Sequence, residues 1–218
     1  MVPSREGVAR KGSADASARP ALRKVAYRSR VTTDCNGLLV DQLDWHRTHL
    51  LRPRPAGLTD AECFWEPAEG CWNIRPAGTG PWPAAAGSGG WTIDHAFPEP
   101  APPPVTTTAR RPGHLIAGVL GTRLAAHFGG PETDYGSFAY AGTAEEALHQ
   151  LDARYAEWVA GVRGLGLDGL EQPPGPSEGP FAEAPMAALV LHITRETAHH
   201  GAEIGTLRDL WAHRPPTG

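Results

Sequence analysis

The sequence predicts an all-α protein, a bundle of four long helices joined by long loops rich in proline and glycine. Four segments place apolar residues three and four positions apart, which is the spacing of one helix face. Strand-like patterns are confined to two short pieces between the first and second helices. With 218 residues, 40% of them hydrophobic, the chain is large enough for one domain with a sizeable core.

The composition argues against several classes of protein. The formal net charge of -4 is mild, so neither nucleic acid nor a membrane surface is an expected partner. No apolar run approaches the roughly 20 residues that cross a bilayer. The three cysteines form no CxxC pair and their number is odd, which disfavours a disulfide framework and a thiolate zinc site. We therefore expect a protein of the reducing cytoplasm.

Residues 1–30 are predicted to be a disordered basic tail, with eight basic residues against two acidic ones. They contain no apolar stretch typical of a secretory signal. The helical bundle is expected over residues 31–213.

The first helix is predicted to begin after the potential N-caps Thr32, Thr33 and Asp34 and to end before Pro53. A Thr-Asp cap at residues 59–60 then predicts a single helical turn. Further along the connection, residues 71–75 and 91–94 are β-prone and are predicted to pair as a short β-ribbon. Four tryptophans in the connection form either a lid over an apolar pocket or ordinary loop packing: Trp65, Trp72, Trp82 and Trp91.

The second helix is predicted from Ala109 to Phe128, with Gly129 and Gly130 as its stop. One of its faces is built from small residues after a single histidine, namely His114, Gly118, Gly121 and Ala125. Small residues allow close approach, so we expect another helix to pack here with His114 at one end of the contact.

The third helix is predicted to open with a capping box at Thr143 and Glu146 and to run to Gly164. The fourth spans residues 185–211, because Pro185 suits the first turn of a helix.

The fourth helix combines apolar and ligand-type residues on one face. Glu196 and His200 lie one turn apart on this face and point towards the core. Its apolar members are Leu189, Ile193, Ile204, Leu207 and Trp211. Two buried polar groups need partners, and either a mutual ion pair or one divalent cation would satisfy them. With His114 as a third ligand, the set has the composition of a catalytic zinc site with an open fourth position.

These motifs resemble the DinB superfamily. The resemblance is carried by GHLIAGV around His114 and by HITRETAHHGAEIGTLRDLW from His192 to Trp211, with support from the first helix and from GCWNIRP. It implies a four-helix bundle that binds a metal through His114, Glu196 and His200. Many members have histidine in place of Glu196, whereas the mycothiol-dependent maleylpyruvate isomerase branch is similar to this chain in using glutamate. Where other members carry glutamine, this chain has Glu203.

The resemblance implies a metal-dependent transferase or isomerase that activates a low-molecular-weight thiol, such as mycothiol, for attack on a small electrophile. Zinc is the expected metal, and Ni²⁺, Fe²⁺ or Mn²⁺ would suit the same ligands. The expected catalytic residues are His200, Glu203 and His199, with His192 as a further candidate for hydrogen bonding around the metal. The candidates for binding the thiol or the substrate are Arg75, Trp45, His46 and Asp94.

Two other functions remain open at this point. A metal-dependent hydrolase would use metal-bound water with Glu203 as general base. A non-catalytic, metal-stabilised bundle would bind a small molecule or a partner chain. A homodimer is possible in each case.

Overall fold

A computed structural model describes residues 34–215, and this part of the chain is a helical bundle with six α-helices and one two-stranded sheet. The predicted fold class is confirmed. The basic tail predicted over residues 1–30 and the potential caps Thr32 and Thr33 lie outside the described residues.

The first helix, α1 (Cys35–His46), continues as a π-helical turn over Arg47–Leu51 and ends before Pro53. Asp34 is its N-cap, since its side chain accepts a hydrogen bond of 2.8 Å from the Gly37 amide. The predicted first helix is therefore confirmed.

The connection to the second helix contains the expected turn and ribbon. Thr59 caps α2 (Asp60–Cys63), a single helical turn. Strand β1 (Ile74–Pro76) pairs antiparallel with β2 (Trp91–Ile93), and Ile74 lies opposite Ile93. Both isoleucines are buried, so the ribbon closes a small second core beside the bundle.

The second helix is composed of three consecutive segments, which are α3 (Arg110–Gly113), a π-helical segment (His114–Gly121) and α4 (Thr122–His127). In the π-helical segment the Gly118 carbonyl accepts hydrogen bonds from the Thr122 hydroxyl at 2.9 Å and from the Arg123 guanidinium at 2.7 Å. The helix stops at Gly129, whose φ is 69°, as predicted. The π-helical geometry was not predicted, and it is common at functional sites.

The face of the second helix that carries the small residues packs differently from the prediction. A Cβ on Gly118 would lie 2.1 Å from the Tyr135 hydroxyl, and one on Gly121 would lie 2.7 Å from the Thr133 methyl group. The close approach is therefore made by the loop that follows the helix. The expectation of a helix against Gly118 and Gly121 is wrong, because the loop folds back over these glycines before the third helix begins. His114, at the end of this face, does meet His200 of another helix.

The third helix, α5 (Ala144–Glu171), opens with Thr143 accepting from the Glu146 amide at 3.2 Å, as predicted. It runs past the predicted end at Gly164, with a break at Gly166, whose φ is 62°. A 3-10 turn (Pro176–Phe181) then leads to α6 (Met186–Ala212).

The core lies where α1, α5, α6 and the second helix meet, and it is centred on the fully buried Trp158. A partly buried trio of Arg123, Glu178 and His127 packs at its edge, with His127 Nε2 2.9 Å from a Glu178 oxygen. None of the helices described here has the length and apolar character required to cross a bilayer.

Candidate metal centre

Three side chains from two helices converge beside the core. His114 begins the π-helical segment of the second helix, and Glu196 and His200 lie one turn apart on α6. Their potential ligand atoms all lie within 4.8 Å of one another. The rings of His114 and His200 meet edge to face, with centroids 4.7 Å apart. The structure thus brings together the three residues that the sequence selected.

The donor set fits a divalent cation. The Glu196 Oε2 and His200 Nε2 atoms are 3.5 Å apart. Two ligand atoms that each lie 2.0–2.2 Å from a tetrahedral zinc ion are about 3.3–3.6 Å from each other. Two imidazole nitrogens with one carboxylate oxygen also form a familiar zinc set.

His200 is oriented by a carboxylate. Its Nδ1 lies 2.6 Å from a Glu203 oxygen, and the other Glu203 oxygen lies 2.9 Å from the Arg111 guanidinium. A carboxylate only accepts, so Nδ1 carries the proton and the lone pair of Nε2 points towards Glu196 and His114. This carboxylate–histidine arrangement is typical of metal sites, where it fixes the ring and its tautomer.

His114 is oriented by a tyrosine. Its Nδ1 lies 2.5 Å from the Tyr135 hydroxyl, which leaves Nε2 for a ligand. The tyrosine reaches this position only because Gly118 has no side chain. The glycine-lined face therefore serves to bring a hydrogen-bonding partner to His114.

Burial keeps both imidazoles neutral. The pKa of His114 is lowered to about 3, first by burial and then by the positive charges of His200 and nearby arginines. The pKa of His200 is also lowered, again mainly by burial, although the hydrogen bond with Glu203 opposes the shift. A metal binds the neutral form of imidazole, so both ligands are ready at neutral pH.

A second group of ligand-type residues shares His200, namely His199, His200 and Glu203. His199 is 64% exposed, and its Nε2 is 3.5 Å from Glu203. Because Glu203 already accepts from His200 and Arg111, this group is the weaker candidate for a metal.

A cavity of about 450 Å³ opens beside His114. It is lined by Trp72, Ala86, Ile93, His95, Ala96, Phe97, Glu99, Arg110, His114 and Tyr135. Only one of the four tryptophans predicted as a lid, Trp72, lies on this wall. The others pack elsewhere, with Trp65 against Trp211, Trp91 against Phe64, and Trp82 on the edge of Trp72.

The four residues predicted to bind thiol or substrate are absent from the lining of this cavity. Arg75 and Asp94 pair with each other at 2.8 Å beside the β-ribbon. Trp45 is 54% exposed and stacks on His49. His46 is buried against Gly201 of α6.

Sequence reasoning missed Tyr135, Arg111 and Arg110. Gly118 and Gly121 indicated indirectly that another segment packs closely here, but the sequence could not identify Tyr135 as the residue that makes the contact. The two arginines lie in the helical turn just before His114, but the sequence does not show which of them would contact a carboxylate.

The fold and the three converging side chains define a helical bundle with a candidate metal centre between its helices. A family model for the DinB superfamily matches residues 42–204, and the chain belongs to that superfamily. The resemblance seen in the sequence is thereby confirmed, and membership indicates a metal-binding DinB-like protein. Neither the curated proteins nor the solved structures include a match to this chain.

Proposed function

We propose that this protein is a metal-dependent enzyme, with zinc as the expected metal, that activates a low-molecular-weight thiol such as mycothiol for attack on a small electrophile. The observation that carries the proposal is the convergence of His114, Glu196 and His200 beside a cavity with largely apolar walls. A cation held by these residues would favour the thiolate over the thiol.

The surrounding residues have separate roles in this proposal. Glu203 holds His200 in the tautomer that presents Nε2 to the site. His199 lies 3.5 Å from the other side of the Glu203 carboxylate and is largely exposed, so it can pass the thiol proton to solvent. Trp72 and Phe97 offer apolar surface to the electrophile.

The protein's own buried thiols are poor nucleophiles, which favours a thiol supplied as a co-substrate. Burial, followed by the charges of Asp60 and Glu62, raises the pKa of Cys63 to about 12. Burial is also the main cause of the raised pKa of Cys71. Both are free cysteines, which suits a reducing cytoplasm.

That the protein forms a homodimer remains a prediction.

The geometry of Glu203 favours thiol activation over hydrolysis. A hydrolase would need this residue as a free general base, yet its oxygens lie 2.6 Å from His200 and 2.9 Å from Arg111. A non-catalytic bundle would use the same contacts to hold a metal, so only an activity measurement separates it from the transferase.

The test begins with elemental analysis of the protein purified without a nickel column. We expect about one equivalent of zinc in the wild type and almost none in His200→Ala, since loss of one of three ligands opens the site. His127→Ala is the matched control, because it removes another buried histidine that is paired with a glutamate, and it should retain the metal.

Turnover is then measured as the loss of an electrophile such as 1-chloro-2,4-dinitrobenzene, with and without an added thiol. Thiol-dependent turnover that disappears in His200→Ala supports the proposal. Turnover without thiol would establish the hydrolase in its place. A folded wild type that binds no zinc, nickel, iron or manganese would refute the metal-dependent enzyme.

A further inference from the structure

Arg110 is a buried arginine that forms no ion pair with any residue that the structure describes. The residue is 8% exposed. Its Nε donates to the Asp94 carbonyl at 3.4 Å, and its guanidinium lies 5.6 Å from the centre of the Trp72 ring. No carboxylate within residues 34–215 comes within 4.0 Å of its nitrogens.

Two arginines close to Arg110 in the structure or the sequence do have carboxylate partners. Arg75 pairs with Glu66 at 2.6 Å and with Asp94 at 2.8 Å, and Arg111 pairs with Glu203 at 2.9 Å. A buried charge that lacks such a partner costs several kcal/mol, roughly, through lost hydration. Consistent with this cost, burial lowers the pKa of Arg110. The fold therefore holds a buried positive charge here with no described carboxylate in direct contact, although the more distant charge of Asp94 offsets part of the cost.

The guanidinium belongs to the wall of the cavity beside His114. The same wall includes Trp72, Phe97 and the His114 partner Tyr135. Glu99 is the one acidic residue of the lining, and it is exposed and outside ion-pair distance of Arg110. The cavity thus combines apolar walls, one unpaired cation and a candidate metal ligand.

We propose that Arg110 binds a carboxylate of the molecule that enters this cavity, so that the electrophile or the thiol is a small organic acid with an apolar body. The planar guanidinium can form two parallel hydrogen bonds with a carboxylate, and these are strengthened by charge. Carboxylate binding by Arg110 does not depend on the proposed function. The identification of the bound acid as the electrophile or the thiol does rest on it.

The binding test uses 4-bromobenzoate and its neutral counterpart 4-bromobenzamide as probes, measured by calorimetry. In the wild type we expect the acid to bind about tenfold or more tightly than the amide, the range for hydrogen bonds with a charged group. Arg110→Gln should abolish this preference, whereas Arg163→Gln, which removes an exposed charge on α5, should leave it intact. His200→Ala should also retain it, because the preference comes from the guanidinium.

Equal binding of the two probes by the wild type, or an unchanged preference in a folded Arg110→Gln, would overturn the inference. So would a preference that disappears in His200→Ala, since the acid would then be binding through a metal. If Arg110→Gln does not fold, the anomalous scattering of bromine in wild-type crystals locates the probe. A carboxylate within hydrogen-bond distance of Arg110 supports the proposal, and binding only at other sites contradicts it.

Turnover distinguishes the two sources of the carboxylate. Acidic and neutral thiols, 3-mercaptopropionate and 2-mercaptoethanol, are combined with acidic and neutral electrophiles, 4-chloro-3-nitrobenzoate and 4-chloro-3-nitrobenzamide. Arg110→Gln should raise KM by about tenfold for the acidic form of one reactant only, and that reactant is the one bound by Arg110. If no pair reacts, the thiol transferase fails, while the preference for the benzoate still decides the binding proposal.

Discussion

Two partly buried trios of the same composition lie in different parts of this molecule. At the edge of the core, Glu178 accepts from His127 at 2.9 Å and from Arg123 at 3.4 Å. At the candidate metal centre, Glu203 accepts from His200 at 2.6 Å and lies 2.9 Å from Arg111. Each trio is an arginine, a glutamate and a histidine joined through the carboxylate.

The difference lies in what surrounds each histidine. His200 has Glu196 and His114 around its remaining nitrogen, and these three residues form a group of potential ligands. Within residues 34–215, His127 belongs to no such group. A histidine–glutamate pair is therefore a structural feature on its own, and it becomes a candidate metal site only when further ligands converge on the free nitrogen.

The largest expected difference between the two trios is in zinc affinity when the glutamate of each is replaced by glutamine. Glu203→Gln should weaken zinc binding by about 10–100-fold, the usual effect of losing the group that orients a histidine ligand. Glu178→Gln should leave zinc affinity unchanged and lower the free energy of unfolding by about 1–3 kcal/mol, because Arg123 loses its charged partner. Competition with a zinc chelator and urea unfolding measure the two effects. Equal zinc affinities for the two variants would remove the distinction between the trios.

A smaller effect is expected from the tyrosine that orients His114. Tyr135→Phe removes one neutral hydrogen bond and should weaken zinc binding by about three- to tenfold. Tyr155→Phe is the control, because that hydroxyl bonds to Asp44 on α1. Gly118→Ala should reproduce the loss by displacing Tyr135, since the new Cβ would lie 2.1 Å from its hydroxyl. Zinc affinity that Tyr135→Phe leaves unaltered would show that the tyrosine does not position the ligand.

The smallest effect concerns His46, a buried histidine with no acidic partner in the described residues. Burial lowers its pKa in the folded state, so the unfolded chain takes up the proton first as pH falls. Its contribution to stability is complete above about pH 6.5, the ordinary value, and is lost progressively below it. His46→Gln should therefore reduce the dependence of unfolding free energy on pH just below about pH 6.5 by at most about 1.4 kcal/mol per pH unit.

Urea unfolding at several pH values checks this prediction, with the exposed His149→Gln as control. An identical pH dependence in wild type and His46→Gln would contradict it.

Local patterns were enough to predict most of the helices and the ribbon. Asp34, Thr59 and Thr143 each cap the helix that follows, because capping depends on residues within one turn. The break at Gly166 was not predicted, since α5 resumes beyond a glycine that would usually end a helix.

The sequence by itself determined the three potential ligands, because helical spacing places Glu196 and His200 on one face and His114 at the start of another helix. Only the tertiary structure decided what surrounds them. Tyr135 reaches His114 from a loop, and Arg111 finds Glu203 while Arg110 finds no carboxylate. Periodicity fixes the direction of a side chain relative to its own helix, whereas its partners across the bundle depend on how loops and helices pack together.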